Sequence, residues 1–156
     1  MIANNITRML EAKKIRFQAY EVPAEKLSAL EVADILKVPP EDVYKTIVAK
    51  RAKPGKPILA VVPGPLEVDT KKLAAALGEK KVFITTLNEA EPLTGLLAGG
   101  ISPLALINKG FQVLIDSSAQ SKETILVSAG QRGLQVRLNP ADLAKLSNAR
   151  FADIAE

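Results

Sequence analysis

Apolar residues recur with helical spacing in five segments of the chain. A spacing of three and four residues places these side chains on one face, as in an amphipathic helix. Ser28 and Glu31 have capping-box spacing, Asp69 can cap the third helix, and Gly78 can end it. The predicted helices run from Ile2 to near Lys13, from Ser28 to before Pro39, over 70–77, from a cap at Asn88, and over 141–146 after Asn139 and Pro140.

Seven shorter segments alternate in polarity or are rich in β-forming residues, and we predict that they are strands. The second and third are joined by a turn with a basic tip at 53–56, which indicates a hairpin. The last three are separated only by polar or glycine-containing turns, so we expect them to form an antiparallel meander. Strands and helices at irregular intervals favour an α+β domain over a regular βαβ fold. The predicted strands are 16–22, 44–51, 58–62, 81–85, 112–116, 124–128 and 134–138.

The composition supports one globular unit and narrows its chemistry. A chain of 156 residues that is 47% hydrophobic can bury one core, so a single domain over 1–156 is expected. Because the chain has no His and no Cys, it cannot supply a Ser-His-Asp triad, a Cys-His pair or a Cys/His zinc site. The carboxylates are scattered without metal-ligand spacing, and we expect no metal and no cofactor.

The start of the chain lacks the basic residues and long apolar run of a signal peptide. No apolar stretch approaches the roughly 20 residues that span a bilayer. We therefore expect a cytoplasmic protein without a membrane partner.

Lys45 is the most informative single residue. Strand alternation places it on the same face as Ile47 and Ala49, while Tyr44 and Thr46 point the other way. A lysine among apolar neighbours suggests a functional role. The alternative is that this face meets solvent, or that the ammonium reaches water past its apolar stem.

The hairpin that begins at Lys45 carries a surplus of positive charge. No acidic residue lies between Asp42 and Glu67, whereas five cations do. Such a hairpin can attract a phosphate backbone, or it can serve only as a solubilising surface. The cations are Lys45, Lys50, Arg51, Lys53 and Lys56.

The glycine-rich segment 95–103 interrupts the regular pattern. Gly99 and Gly100 allow a close approach of the backbone to a ligand, so that amides can face a carbonyl oxygen or a phosphate. The segment does not fit the Walker or dinucleotide patterns. It is equally compatible with a structural turn, and Ser128 after the apolar run 125–127 is either a ligand contact or an ordinary strand end.

Four segments together resemble the YbaK family, collinearly from about Ile6 to Ala155. They are VYKT at 43–46, 73–78 with KKV at 80–82, GGISPL at 99–104, and LVSAGQRGL at 126–134. The family comprises small aminoacyl-tRNA deacylases related to the editing insertion of bacterial prolyl-tRNA synthetase. The resemblance implies an α+β fold around a curved, mixed and largely antiparallel, barrel-like sheet with flanking helices.

The resemblance also implies site residues. The family's essential lysine matches Lys45, and its Gly-x-x-x-Pro loop begins at Gly99; we assign these two as catalytic. A tyrosine of the family pocket matches Tyr20, and a pocket serine matches Ser128. The matching segments also contain the remaining expected substrate contacts, which are Tyr44, Gly100, Ile101, Ser102 and Pro103.

The implied function is trans-acting clearance of mischarged tRNA, with cysteine on proline tRNA as the leading substrate. An aminoacyl ester is already activated, so the protein need only hold it and stabilise the oxyanion while a substrate thiol or water attacks. We assign Lys45 to anionic parts of the substrate and the Gly99 and Gly100 amides to the carbonyl. The expected partners are the aminoacylated 3′ end of tRNA and prolyl-tRNA synthetase in a transient complex.

Two features differ from the cysteine-editing members of the family. These carry an acidic residue where this chain has Gln135, and the segment between Tyr20 and Ser28 diverges. Both differences affect the pocket wall. Removal of alanine or another small amino acid therefore stays open, as does a noncatalytic module that binds tRNA or a synthetase.

Overall fold

A computed structural model describes residues 3–156, which form five α-helices and eight strands. The helices are α1 Asn5–Ala12, α2 Ala29–Leu36, α3 Thr70–Leu77, α4 Leu87–Thr94 and α5 Pro140–Ser147. The strands are β1 Phe17–Glu21, β2 Tyr44–Arg51, β3 Ile58–Pro63, β4 Val82–Ile84, β5 Gln112–Asp116, β6 Ile125–Ser128, β7 Leu134–Leu138 and β8 Arg150–Ala152. No helix within residues 3–156 is both long enough and apolar enough to cross a membrane.

The strands form two open sheets. The larger has the order β4-β2-β3-β5-β8 and the smaller the order β1-β7-β6. The pairs β3–β5 and β5–β8 are parallel and the others are antiparallel. A bridge between Val43 and Leu126 connects the two sheets. This arrangement confirms the expected α+β class with a mixed, largely antiparallel and barrel-like sheet.

The predicted meander of the last three strands is wrong for β5. Only β6 and β7 pair with each other, whereas β5 lies between β3 and β8 in the larger sheet. Four of its five residues are buried, because β5 is a central strand with both faces covered. Such a short apolar run does not identify its partner strands, so the sequence pattern alone favoured its neighbours in the chain.

Local capping signals place most helix ends correctly. Asp69 caps α3, and Gly78 ends it in the left-handed conformation. The cap predicted at Asn88 is wrong, because Thr86 caps α4 and forms a capping box with Glu89. The predicted start of the first helix at Ile2 lies outside the described residues, and Asn4 caps α1.

The strand β2 has a buried core on each of its faces. Tyr44 and Val48 belong to one apolar cluster, and Ala49, with Ile47 packed against it, belongs to another. The predicted alternation along this strand is therefore confirmed. It places Lys45 on the face of the second cluster, at the end of the sheet where β3 ends.

The buried carboxylate of Asp116 fastens the last residues of the chain. One of its oxygens accepts hydrogen bonds from the amides of Ile154 and Ala155 at 3.0 and 3.1 Å. Each amide would cost about 1–3 kcal/mol if it were left buried without an acceptor. The fastened segment pairs in turn with 67–69 through hydrogen bonds between Glu67 and Glu156 and from Asp69 to Ile154.

Candidate active site

A small open cavity of about 130 Å³ lies beside the start of β2. At about 30 Å³ per water molecule, it has room for roughly four waters, or for a small amino-acid side chain. Its wall combines α2, the start of β2, the glycine-rich loop and the facing ends of β6 and β7. The polar lining includes Lys45, Thr46, Ser128 and Gln135.

Lys45 reaches this cavity from the first turn of alternation in β2. Its Nζ donates to the Gly64 carbonyl at 3.1 Å and contacts a Glu67 carboxylate oxygen at 3.3 Å. The Glu67 side chain is 75% exposed and that of Lys45 is 23% exposed. Because such a solvent-facing ion pair contributes only about 0–1 kcal/mol, an anionic ligand can replace Glu67 as the partner of the ammonium.

Several hydrogen bonds fix the glycine-rich loop. The Ala98 amide donates to a Glu91 carboxylate at 2.8 Å, and Arg132 Nε donates to the Ala98 carbonyl at 2.6 Å. The Gly100 amide donates to the Leu97 carbonyl at 2.8 Å. Within residues 3–156 the amides of Gly99 and Ile101 have no acceptor, and both residues line the cavity. The loop thus presents backbone donors that a substrate oxygen could use.

Both glycines pack against neighbouring backbone. Gly99 has φ +89°, and a Cβ there would lie 3.3 Å from the Glu25 carbonyl oxygen and the Lys26 Cα. A Cβ on Gly100 would lie 2.9 Å from the Gln131 Cα. The absence of side chains therefore lets three loops meet at the rim of the cavity.

The structure separates the predicted site residues into two groups. Lys45, Tyr44, Gly99, Ile101 and Ser128 line the cavity. Gly100, Ser102, Pro103 and Tyr20 lie outside its wall. The amide of Gly100 is already bonded to Leu97, so in this geometry the donor expected at the carbonyl is available from Gly99 and not from Gly100.

Ser102 and Pro103 support the loop from behind. Both are buried, and Ser102 caps a short 3-10 helix, Pro103–Leu106, by accepting a hydrogen bond from the Leu104 amide at 3.2 Å. Proline at the first position of this helix has no amide hydrogen that would need an acceptor. These residues thus set the direction in which the chain leaves the cavity.

The two tyrosines direct their hydroxyl groups away from the cavity. The Tyr44 hydroxyl forms a 2.7 Å hydrogen bond with the Ser118 hydroxyl, and burial raises the pKa of Tyr44. The Tyr20 hydroxyl donates to the Gln18 side chain at 2.7 Å, and Arg137 lies 5.7 Å from the centre of its ring. Neither hydroxyl is positioned to donate to a ligand in the cavity.

Gln135 is a cavity residue that the sequence reasoning did not select as a site residue. It lies opposite Ser128 on one neighbouring strand and opposite Tyr20 on the other. It is only 6% exposed and lines the cavity, yet its carboxamide has no hydrogen-bond partner within the described part of the chain. Alternation in β7 places it away from the main core, but the cover that α2 provides over this face could not be read from the local pattern.

The cavity contains no metal-binding group of side chains. Across residues 3–156, no cluster of three or more His, Cys, Asp or Glu side chains has the arrangement to hold an ion. Its available polar groups are one ammonium, backbone amides, the Ser128 hydroxyl and the Gln135 carboxamide. These can bind and polarise a carbonyl or a phosphate.

Comparison with known proteins gives this arrangement a family. EbsC of Enterococcus faecalis, provisionally named a Cys-tRNA(Pro)/Cys-tRNA(Cys) deacylase, is 40% identical over 152 residues, which cover 96% of this chain and 92% of EbsC. The proline–tRNA ligase of Kosmotoga olearia is 30% identical over 103 residues, which cover 66% of this chain and 17% of the ligase.

A solved structure supports the fold. A protein provisionally described as a trans-editing enzyme for prolyl-tRNA synthetase superposes with a TM-score of 0.80 at 23% identity, covering 100% of this chain and 99% of that one. The family model described as aminoacyl-tRNA editing domain matches residues 23–146, which include every cavity residue named above. The chain therefore belongs to the aminoacyl-tRNA editing domain family, which confirms both the resemblance and the enzyme class predicted from the sequence.

Proposed function

We propose that this protein is a trans-acting deacylase that clears mischarged tRNA and that its principal substrate is Cys-tRNA(Pro). The observation that carries the proposal is the pairing of the Lys45 ammonium with the unoccupied amide of Gly99 in one small cavity. The name of the Enterococcus relative supports the choice of substrate. Because charged tRNA is consumed by cytoplasmic translation, we place the protein in the cytoplasm as a single editing domain.

The proposed chemistry needs no nucleophile from the protein. The substrate thiol attacks its own ester carbonyl, forming a carbon–sulfur bond, and the carbon–oxygen bond to the ribose breaks. The thiol proton passes to the departing ribose oxygen, so the products are a cyclic thiolactone and uncharged tRNA. Water attacking the same carbonyl gives free amino acid and uncharged tRNA.

The cavity groups divide the remaining work. The Gly99 amide donates to the developing oxyanion, where a fixed donor in a site shielded from water is most effective. Lys45 exchanges Glu67 for a phosphate or the oxyanion. Ser128 and Gln135 contact the amino-acid part, and Gly99, Ile101 and Ser102–Pro103 hold the loop in place.

The same cavity suits a second substrate. It is small, and Gln135 provides a neutral carboxamide at its wall. Both features are compatible with alanine or another small amino acid on tRNA. A module that binds tRNA without turnover is the remaining alternative, and activity measurements separate it from both deacylases.

We expect Lys45→Ala to abolish deacylation while the fold is retained, because the Lys45 side chain is partly exposed and its ion pair contributes little to stability. The measurement is single-turnover release of amino acid from charged tRNA, with circular dichroism as the check on folding. Lys13→Ala, which removes one exposed charge outside the cavity, is the matched control. Wild-type turnover by Lys45→Ala would remove Lys45 from the mechanism.

Gly99→Ala should lower activity and stability more than Gly110→Ala. Both glycines have a positive φ, +89° and +85°, so alanine adds about 1–2 kcal/mol of strain at either position. Only at Gly99 does the new methyl group press on backbone, at 3.3 Å from residues 25 and 26. Urea unfolding and single-turnover rates measure the two effects. Equal losses in the two variants would mean that the close packing at Gly99 has no functional role.

Gln135→Leu should lower kcat/KM for cysteine release about tenfold, because one hydrogen bond to the substrate, worth about 0.5–1.5 kcal/mol, is removed. Stability should change little, since the carboxamide has no protein partner within the described residues. Gln18→Leu, on the same sheet but outside the cavity, is the control. A panel of tRNAs charged with cysteine, alanine and proline identifies the substrate, and an unchanged profile for Gln135→Leu would exclude this contact.

We also infer a transient complex with prolyl-tRNA synthetase, because the family relationship joins this chain to a segment of such an enzyme. The complex should be recovered by pull-down with the synthetase and charged tRNA at low salt. Recovery should decrease as salt is raised. No association at low salt in the presence of charged tRNA would count against the partner.

A further inference from the structure

We propose that one end of the larger sheet binds the phosphate backbone of the tRNA acceptor arm while the cavity holds the aminoacyl end. This inference rests on the proposed function, since it takes tRNA as the substrate. It assigns a role to the basic hairpin, which the active-site chemistry does not use. It also names the surface that would position the ester.

The topology brings three loops to the same end of this sheet. Arg51 at the end of β2 lies opposite Val82 at the start of β4, and Ile58 at the start of β3 lies opposite Gln112 at the start of β5. The hairpin tip, the segment before β4 and the segment before β5 are therefore neighbours. These loops carry five exposed lysines, here called the basic edge: Lys53, Lys56, Lys80, Lys81 and Lys109.

The basic edge is not neutralised by the protein itself. The neighbouring carboxylate of Glu79 already pairs with Arg51 at 2.8 Å, and Glu89 pairs with Lys50. None of the five lysines forms an ion pair within residues 3–156. Lys81 instead lies 5.4 Å from the centre of the Phe83 ring. Clustered cations without acidic partners create a local positive potential that attracts a polyanion.

The charge distribution favours a specific surface over general solubility. The whole chain has a net charge of +4, which is less than the charge of the basic edge alone. The rest of the molecule is therefore close to neutral. A protein that needed lysines only for solubility would distribute them over its surface.

The distance from the basic edge to the cavity suits the end of a tRNA. Lys45 and Arg51 lie six residues apart on β2, which at about 3.3 Å per residue is roughly 20 Å. The edge strand β4 follows β2 over part of this distance, and Leu87, at the start of α4, lines the cavity. A single-stranded 3′ end laid along β4 would connect the cavity with a stem at the basic edge.

The test compares two double variants with a matched control. Lys53→Gln/Lys56→Gln and Lys80→Gln/Lys81→Gln each remove two charges from the basic edge, and Lys13→Gln/Arg16→Gln removes two exposed charges from the region of α1 and β1. Fluorescence anisotropy measures the binding of uncharged tRNA over a salt series, which requires no catalysis. Each edge variant should bind about tenfold more weakly at low salt, and its salt dependence should fall by about one unit of slope per lost phosphate contact.

Deacylation provides the second measurement. On charged tRNA the edge variants should lose kcat/KM about tenfold, whereas on an aminoacyl ester of adenosine they should match the wild type. Unchanged tRNA affinity and salt slope in both edge variants would overturn the inference, as would an equal loss in the control. If the wild type cleaves neither substrate but the edge variants still bind tRNA more weakly, the proposed function fails and the basic edge stands.

Discussion

The register of β2 is the constraint on which the rest of the structure depends. Apolar side chains cover this strand on both faces, with Tyr44 and Val48 in one cluster and Ala49 in another. A slip of one residue would exchange the two faces and bring the Lys45 ammonium into an apolar core. The packing that stabilises the sheet therefore also holds the lysine at the mouth of the cavity, with Gly64 and Glu67 as its partners.

The cavity is assembled from segments that are anchored independently. Its loop is held by Glu91 from α4 and Arg132 from the turn after β6, and the glycines allow both neighbouring loops to approach it. Donors held in this way need little rearrangement when charge develops on a bound carbonyl. A small protein without histidine or cysteine can thus stabilise a transition state chiefly by the placement of its backbone.

Local signals in the sequence predict local structure well and distant pairing poorly. The ends of α3 follow from Asp69 and Gly78, each of which acts within one turn. The sheet position of β5 depends on residues far along the chain, and the predicted meander fails there. The same limit applies to the site: Lys45 and Gly99 could be selected from motifs, whereas the cover over Gln135 comes from α2, about a hundred residues earlier in the chain.

The attachment of the last residues to Asp116 links the core to the cavity. Asp116 holds Ile154 and Ala155, this segment pairs with 67–69, and Glu67 contacts the Lys45 ammonium. A random-mutagenesis screen for loss of activity would therefore recover substitutions at Asp116, although this residue is not part of the cavity wall. Such variants would map to the interior of the sheet and still act through the position of a surface carboxylate.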